Sequence, residues 1–363
     1  MPIILGYCDP DIDSKIIEQL GKGITFSLAS ELEYQLAEKF INLVPSAEMV
    51  RFGKNGSDST SAAIRLSRAY TGRNMIAVAG YHGWHDWYIG ATSRDLGVPN
   101  VVKSLTTKFS YDDLESLTKQ LETNSYAAVI LEPYFQEDKI SNILKEIRDI
   151  TYKTGTLLIF DEIISGFRIN IGGAQSEYNI IPDLSTFGKS MGNGMPISAI
   201  VGKKNIMSKM NEIFFSSTFG GETLSLAASI ETINKIQRTD AINKMKNTGD
   251  KLISGLNNII FRSPLKGMLS FMEPNWWPRM QISNRDIDII LFKSLLRQEL
   301  NSEGLILNAS LNLSLAHTNK LIFEETLIRF KKAIDKVGTH IQLKNPKKAL
   351  KGNLVEPTFS VRK

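Results

Sequence analysis

Cysteine is almost missing from this chain: Cys8 is the single one in 363 residues. That scarcity excludes an internal disulfide and a zinc site built on cysteine, and a reactive Cys8 would need a base that nothing nearby suggests. Histidine is scarce too, with four in all. His82 and His85 stand three apart in "HGWHD" beside Asp86, but no third imidazole is in view, so a metal site is not expected there. Long apolar runs are absent, none approaching the roughly 20 residues that cross a bilayer. The start, "MPIILGYCDPD", is too short and too acidic at its end for a signal peptide, and a cytoplasmic setting is expected. There are no internal repeats and no low-complexity tract. The formal charge of +5 is small and comes partly from the last residues, where Lys344, Lys347, Lys348, Lys351, Arg362 and Lys363 crowd together. With Phe359 the one aromatic among them, they read as a solvated terminus and not as a nucleic-acid arm.

What is there is an ordinary globular composition, 42% hydrophobic and 22% charged, in a chain long enough for a second lobe. Four parts are expected: a short N-terminal segment, 1–50, packing on the small lobe; a large domain, 51–245; a small C-terminal domain, 246–340; and a basic tail, 341–363. In "SELEYQLAEKFINLVP" the residues Leu32, Leu36 and Phe40 recur every four positions, Ser30 and Glu33 form a capping box and Pro45 ends the helix. "RFGKNGSDSTSAAIRLSRAYTG" reads as an apolar stub, a turn and a helix ending near Gly72. Strand-like runs then alternate with helical segments at 75–80, 127–133, 156–163, 184–188, 197–202 and 213–219. Nearly continuous apolar strands spaced by helices predict an α/β fold with a mostly parallel sheet covered on both faces. Ligands in such sheets bind beyond the carboxyl ends of the strands. Glu132, Asp161 and Lys189 each close one of these runs.

In "DLSTFGKSMGNGMP" the Gly188-Lys189-Ser190 triplet resembles the end of a P-loop, but the first glycine of that motif is replaced by Asp183. A lysine beside glycines at a strand end suits reversible condensation with an aldehyde. Asp161 ends the buried-looking run "LLIF", where a carboxylate needs a cationic partner. The pyridinium of pyridoxal phosphate answers both needs; Arg168 is the structural alternative for Asp161. Gly56 and Ser57 lead into a helix N-terminus suited to the phosphate, unless the turn to Asp58 is only a cap.

Together "RFGKNGSDSTSAAIRLSRAYTG", "EP", "LLIFDEIISGFR", "GGAQSEYNIIPDLSTFGKSMGNGMPISAIVG" and "TFGG" resemble, in order and in register, the class III, fold type I pyridoxal-phosphate aminotransferases, most closely the glutamate-1-semialdehyde aminomutase branch. The likeness runs from "LGYCDPDI" to about residue 245. It implies a fold type I sheet with a smaller C-terminal α+β lobe, and it makes Lys189 the Schiff-base lysine and proton shuttle. It makes Asp161 the partner of the pyridine nitrogen and gives Gly56 and Ser57 the phosphate. Tyr81, with His82 beside it in the cofactor-binding set, and Ile163 would flank the ring, and Glu132 would stand at the edge of the site. Thr218 would reach the phosphate of a neighbouring subunit, which implies a homodimer with shared sites. Plain core packing is the competing reading for Tyr81 and Ile163, and Trp276 and Trp277 could be either small-lobe core or substrate contacts.

Three departures from that family stand out. The N-terminal arm that helps to form the family's substrate pocket is not matched before "ILGYCDPDI". The long Gly-Ser-rich loop of the aminomutase branch is shortened in "YHGWHDWYIGATSRDLGVPN", which favours transamination between two substrates over an internal transfer. After Glu132, "EPYFQEDK" leaves Gln136 and Glu137 unranked as neighbours of the ring hydroxyl. The expected activity is amino transfer from glutamate to a carbonyl acceptor. "KNGSDST" and "GWHDWYIG", with Arg94 near the acceptor pocket, point toward a keto or aldehyde sugar. A glutamate-1-semialdehyde aminomutase is the second enzyme reading, and a truncated, inactive cofactor-binding scaffold is the reading outside enzymes.

Overall fold

The structure, a computed structural model, describes residues 1–134, 137–283 and 288–355, with backbone alone at 137 and 138. Its described residues fall into two compact units, 1–239 and 240–355. The division lies at 239/240, where 245 was expected, and residues 1–50 belong to the first unit. Helix α1 (Pro10–Leu20) packs there on the helix Thr223–Thr239, as does α2 (Glu31–Leu43).

Seven strands form the sheet of the first unit: β1 (Met49–Gly53), β2 (Met75–Ala79), β3 (Thr106–Lys108), β4 (Tyr126–Leu131), β5 (Leu157–Asp161), β6 (Leu184–Phe187) and β7 (Ser198–Gly202). Their order is β1-β7-β6-β5-β4-β2-β3. The pairs from β6 through β5, β4 and β2 to β3 are parallel, and β7 runs antiparallel to both of its neighbours. Alternating side chains serve two cores. Ile76, Val78, Ala128, Ile130 and Ile159 face α3 (Gly56–Thr71), whereas Ala77, Val129, Leu131, Leu158 and Phe160 face the helices Leu114–Leu121 and Glu137–Thr154. Burial on both faces is why these strands read as unbroken apolar runs.

Two sequence expectations need correction. The apolar stub before α3 is a full strand, β1, paired with β7 from Met49 to Gly53. The run 213–219 is not a strand but a set of turns and loop. Phe214 takes a left-handed φ of 50° and, with Phe219, is exposed. Its aromatic content mimics a strand, but without a strand neighbour among the described residues no ladder forms. Of the expected capping box at Ser30 and Glu33, the Ser30 amide donates to Glu33 Oε1 (3.3 Å), and Gly72 ends α3 in the left-handed conformation.

The second unit has its own core, with Leu252, Leu256 and Ile260 of the helix Ala241–Phe261 packed with Phe292, Leu296, Phe330 and Ile334 around the two-stranded ribbon β8 (Leu269–Met272) and β9 (Arg279–Ile282). Trp276 and Trp277 are buried.

Asp183 anchors the entry to β6. Its carboxylate accepts from Leu158 N (2.8 Å) and pairs with Arg148 (2.9 Å) and Lys203 (2.7 Å). Burial alone would raise its pKa, but Arg148, the Leu158 amide and Lys203 together hold it below the usual value. A depressed pKa gives stability that is present above the unfolded-state value and is lost as pH falls through the folded one. Asp183→Asn is therefore expected to destabilise the first unit by about 2 to 4 kcal/mol at neutral pH. In urea denaturation the gap from wild type should shrink as pH is lowered below about 4; a gap independent of pH would contradict it.

Candidate active site

The carboxyl ends of β2, β4, β5 and β6 meet the N-terminus of α3 around a cavity of about 450 Å³. Lys189, Asp161, Gly56 and Ser57 line it, and so do Tyr81, His82, Glu132 and Ile163. Thr218 lies apart, in an exposed turn that contributes nothing to the lining. Arg94 is exposed and also outside it. Gln136 and the side chain of Glu137 lie outside the described residues.

Lys189 opens a short 3-10 turn, Lys189–Gly192, directly after β6, with a left-handed φ of 36°. An L-residue there costs on the order of 1 kcal/mol, so neighbours must impose it. Gly188 before it is tightly packed: a Cβ there would come 3.0 Å from Ile163 Cδ1, so that the Ile163 side chain would have to give way. The turn is fastened by Met191 N donating to the Gly188 carbonyl (3.0 Å) and by Arg168 Nη2 donating to Ser190 Oγ (3.3 Å).

Asp161 is 3% exposed. One carboxylate oxygen accepts from Ile163 N (3.1 Å) and Thr186 Oγ1 (3.3 Å), and the other lies 2.8 Å from His82 Nδ1. The protein partner of Asp161 is thus His82, and not Arg168 as the structural alternative supposed. His82 is itself fully buried, its Nε2 lying 3.2 Å from the Ala79 carbonyl. Arg168 turns the other way, to Ser190 and to the Met1 carbonyl (2.9 Å), and burial lowers its pKa to about 10. His85 goes to Ser61 (2.7 Å), so the two histidines of "HGWHD" serve different neighbours. Among the described residues no group of three or more His, Cys, Asp or Glu is placed to hold a metal ion.

At the start of α3, Asn55 caps the Asp58 amide (3.1 Å), and the Asp58 carboxylate accepts from Lys54 N (2.9 Å) and Asn55 N (3.0 Å). Among the described residues the amides of Gly56 and Ser57 have no protein acceptor, and the cavity lies in front of them. A helix N-terminus with open amides favours an anion. Gly56 is constrained as well, a Cβ there reaching within 3.3 Å of Ile163 Cδ1. Lys54 also lines the cavity and pairs with Glu222 (2.9 Å), a link between distant segments that no local pattern could reveal.

Glu132 is buried at the end of β4. Its Oε2 accepts from Tyr81 N (3.1 Å), the Tyr134 hydroxyl donates to Oε1, and the Tyr111 hydroxyl donates to its backbone carbonyl (2.6 Å). The Tyr81 ring stands edge-on to Tyr88, 5.7 Å between centroids. Sequence reasoning also passed over Glu162, wholly buried beside Asp161. Burial raises its pKa, opposed by Ser165 and by the amides of Ala174 and Gln175 that it accepts from.

His82→Phe is expected to strip Asp161 of one partner and leave the Ala79 carbonyl without its contact, lowering the stability of the first unit by about 1 to 3 kcal/mol. Chemical denaturation checks this, and an unchanged midpoint would count against the geometry described.

Comparison with known proteins gives a consistent setting. The family model for class-III aminotransferases matches residues 1–266. The 3-aminobutyryl-CoA aminotransferase of Cloacimonas acidaminovorans is 37% identical over 287 residues, covering 76% of this chain and 68% of that protein. A glutamate-1-semialdehyde 2,1-aminomutase of Archaeoglobus fulgidus is 36% identical over 277 residues, 71% of this chain and 66% of its own length. This chain therefore spans about two thirds of these relatives. Among solved structures, the FumI protein of Sphingopyxis sp. MTA144, in its PLP internal aldimine form, superposes with a TM-score of 0.86 at 28% identity, over 96% of this chain and 85% of that one.

Proposed function

The chain belongs to the class-III aminotransferases, and from that premise we propose that it transfers an amino group from an amino-acid donor, glutamate, to a carbonyl acceptor of the keto- or aldehyde-sugar kind. The family's cofactor is pyridoxal phosphate, and the cavity suits it: amides without a protein acceptor at the α3 N-terminus, a buried carboxylate at Asp161, and a lysine between them on a turn held in an unfavourable conformation. That grouping in one cavity is the observation that carries the reading.

When bound, pyridoxal phosphate supplies an aldehyde that amines join reversibly and a ring that accepts the electron pair released at the donor's carbon. In this proposal Gly56 and Ser57 hold the phosphate, and Tyr81 and Ile163 bound the ring. Asp161 keeps the ring nitrogen protonated, and His82 holds Asp161 in place. Glu132 fixes the Tyr81 backbone at the rim. Lys189 Nζ would anchor the group until the donor's amine takes its place, and the amine so released would take the proton from the donor's carbon and return it during transfer. The exposed Thr218 acts on the phosphate of a partner subunit, so a homodimer belongs to the same proposal, as does a cytoplasmic setting. Among the described residues no helix is long and apolar enough to cross a membrane.

Borohydride reduction of the loaded protein, followed by peptide mapping, is expected to place a pyridoxyl group on Lys189. Lys189→Ala should lower kcat/KM by at least about 100-fold. A label elsewhere, or none, would remove the basis of the proposal. The relatives named as glutamate-1-semialdehyde aminomutases, at about the same identity as the aminotransferase, support the second reading. Product analysis separates the two. Transfer from glutamate to an added acceptor is expected, whereas conversion of the semialdehyde to 5-aminolevulinate with neither donor nor acceptor present would replace transamination by the internal transfer.

A further inference from the structure

The turn that carries Lys189 leads into "GNG", Gly192 to Gly194, which is bonded to the first residues of the chain. Asn193 takes a left-handed conformation, φ 43° and ψ 39°, which asparagine tolerates better than most residues. From there its side-chain amide behaves like a stretch of strand backbone. Oδ1 accepts from Ile4 N (3.0 Å) and Leu5 N (2.9 Å), and Nδ2 donates to the Gly6 carbonyl (3.1 Å). Ile4 and Leu5 are buried. Gly194, with φ 110°, leaves space for Ile3, whose Cδ1 would be 2.8 Å from a Cβ at that position. Arg168 Nη2 holds the Met1 carbonyl at 2.9 Å and also reaches Ser190 Oγ, the residue after Lys189.

The same turn faces the cavity. Lys189, Gly194, Met195 and Pro196 line it, and Pro2 lines it from the segment that Asn193 holds. Residues 1–6 form no helix or strand, and their backbone is held from outside the segment by Asn193, by Arg168 and by Ser190, whose Oγ donates to the Met1 carbonyl (3.4 Å).

We propose that Gly192–Gly194 is a clamp that fixes residues 1–6 as a wall of the cavity, and that Asn193 is the positioning residue through which this wall sets the size of substrate admitted. The part concerning substrate rests on the proposed amino transfer; the clamp itself does not. Asn193 is not among the cavity-lining residues, so its effect falls on binding and not on proton movement at Lys189.

The test uses the full chain with Asn193→Gly, which keeps the left-handed backbone available, and Asn193→Asp, which keeps the acceptor for Ile4 and Leu5 but loses the donor to Gly6. Amide exchange in the peptide containing Ile4 and Leu5, measured without cofactor, is expected to rise about tenfold or more in Asn193→Gly and by less in Asn193→Asp. In the loaded enzyme, the ratio of kcat/KM between a bulky and a small amino donor should shift by about tenfold, carried by KM with kcat nearly constant. Unchanged exchange overturns the clamp. Raised exchange with unchanged selectivity and KM overturns its role as a substrate wall. If the wild-type chain takes up no pyridoxal phosphate, the proposed function falls, while the exchange measurement still decides the clamp.

Discussion

Asp161 ties three strand ends together. Its carboxylate reaches His82 after β2, the backbone just beyond β5 and Thr186 on β6. A carboxylate at 3% exposure is tolerable only because each of these contacts compensates its lost hydration. The same contacts fix where the charge points, and the cavity that Asp161 lines inherits a negative group with little freedom to move. The parallel strands bring these ends to one edge of the sheet, and β1 delivers the α3 N-terminus there too. An anion-attracting end and an anionic side chain thus share one small volume, which suits a ligand carrying both signs of charge.

The neighbouring polar groups follow a division of labour. Glu132 is used up on the Tyr81 amide and the Tyr134 hydroxyl, Glu162 on the first amides of the helix Ala174–Tyr178, and Arg168 on Ser190 and the N-terminal backbone. These groups hold the loops around the cavity, and Lys189 and the α3 amides face into it.

Much of this was legible in the residues. The strands β2, β4 and β5 announced themselves because burial on both faces leaves hardly a polar position to interrupt the run, and β6 and β7 were legible although Ser185, Thr186 and Ser198 are buried within them. β3 is three residues long and gave no pattern. The run 213–219 misled, because exposed aromatics in a loop look like strand residues when only composition is considered. Lys189, Asp161, Gly56 and Ser57 could be singled out since each combines a costly or unusual residue with a strand or helix end. The partner of Asp161 could not be deduced. Arg168 is close in sequence and cationic, whereas His82 comes from a distant strand end, and only the sheet order places it alongside. The grip of Asn193 on Ile4 and Leu5 joins the two ends of a long sequence separation and has no local signature. Thr218 illustrates the opposite limit, a residue whose expected partner would belong to another copy of the chain.

The backbone at position 189 has one more implication. A left-handed conformation there is easiest for glycine and acceptable for asparagine, and a long, flexible side chain gains nothing from it in folding terms. Selection for robustness alone would drift away from lysine at this point. Under the proposed function, position 189 is a place where the molecule gives up some durability for chemistry, so attempts to harden this scaffold should leave that bend untouched.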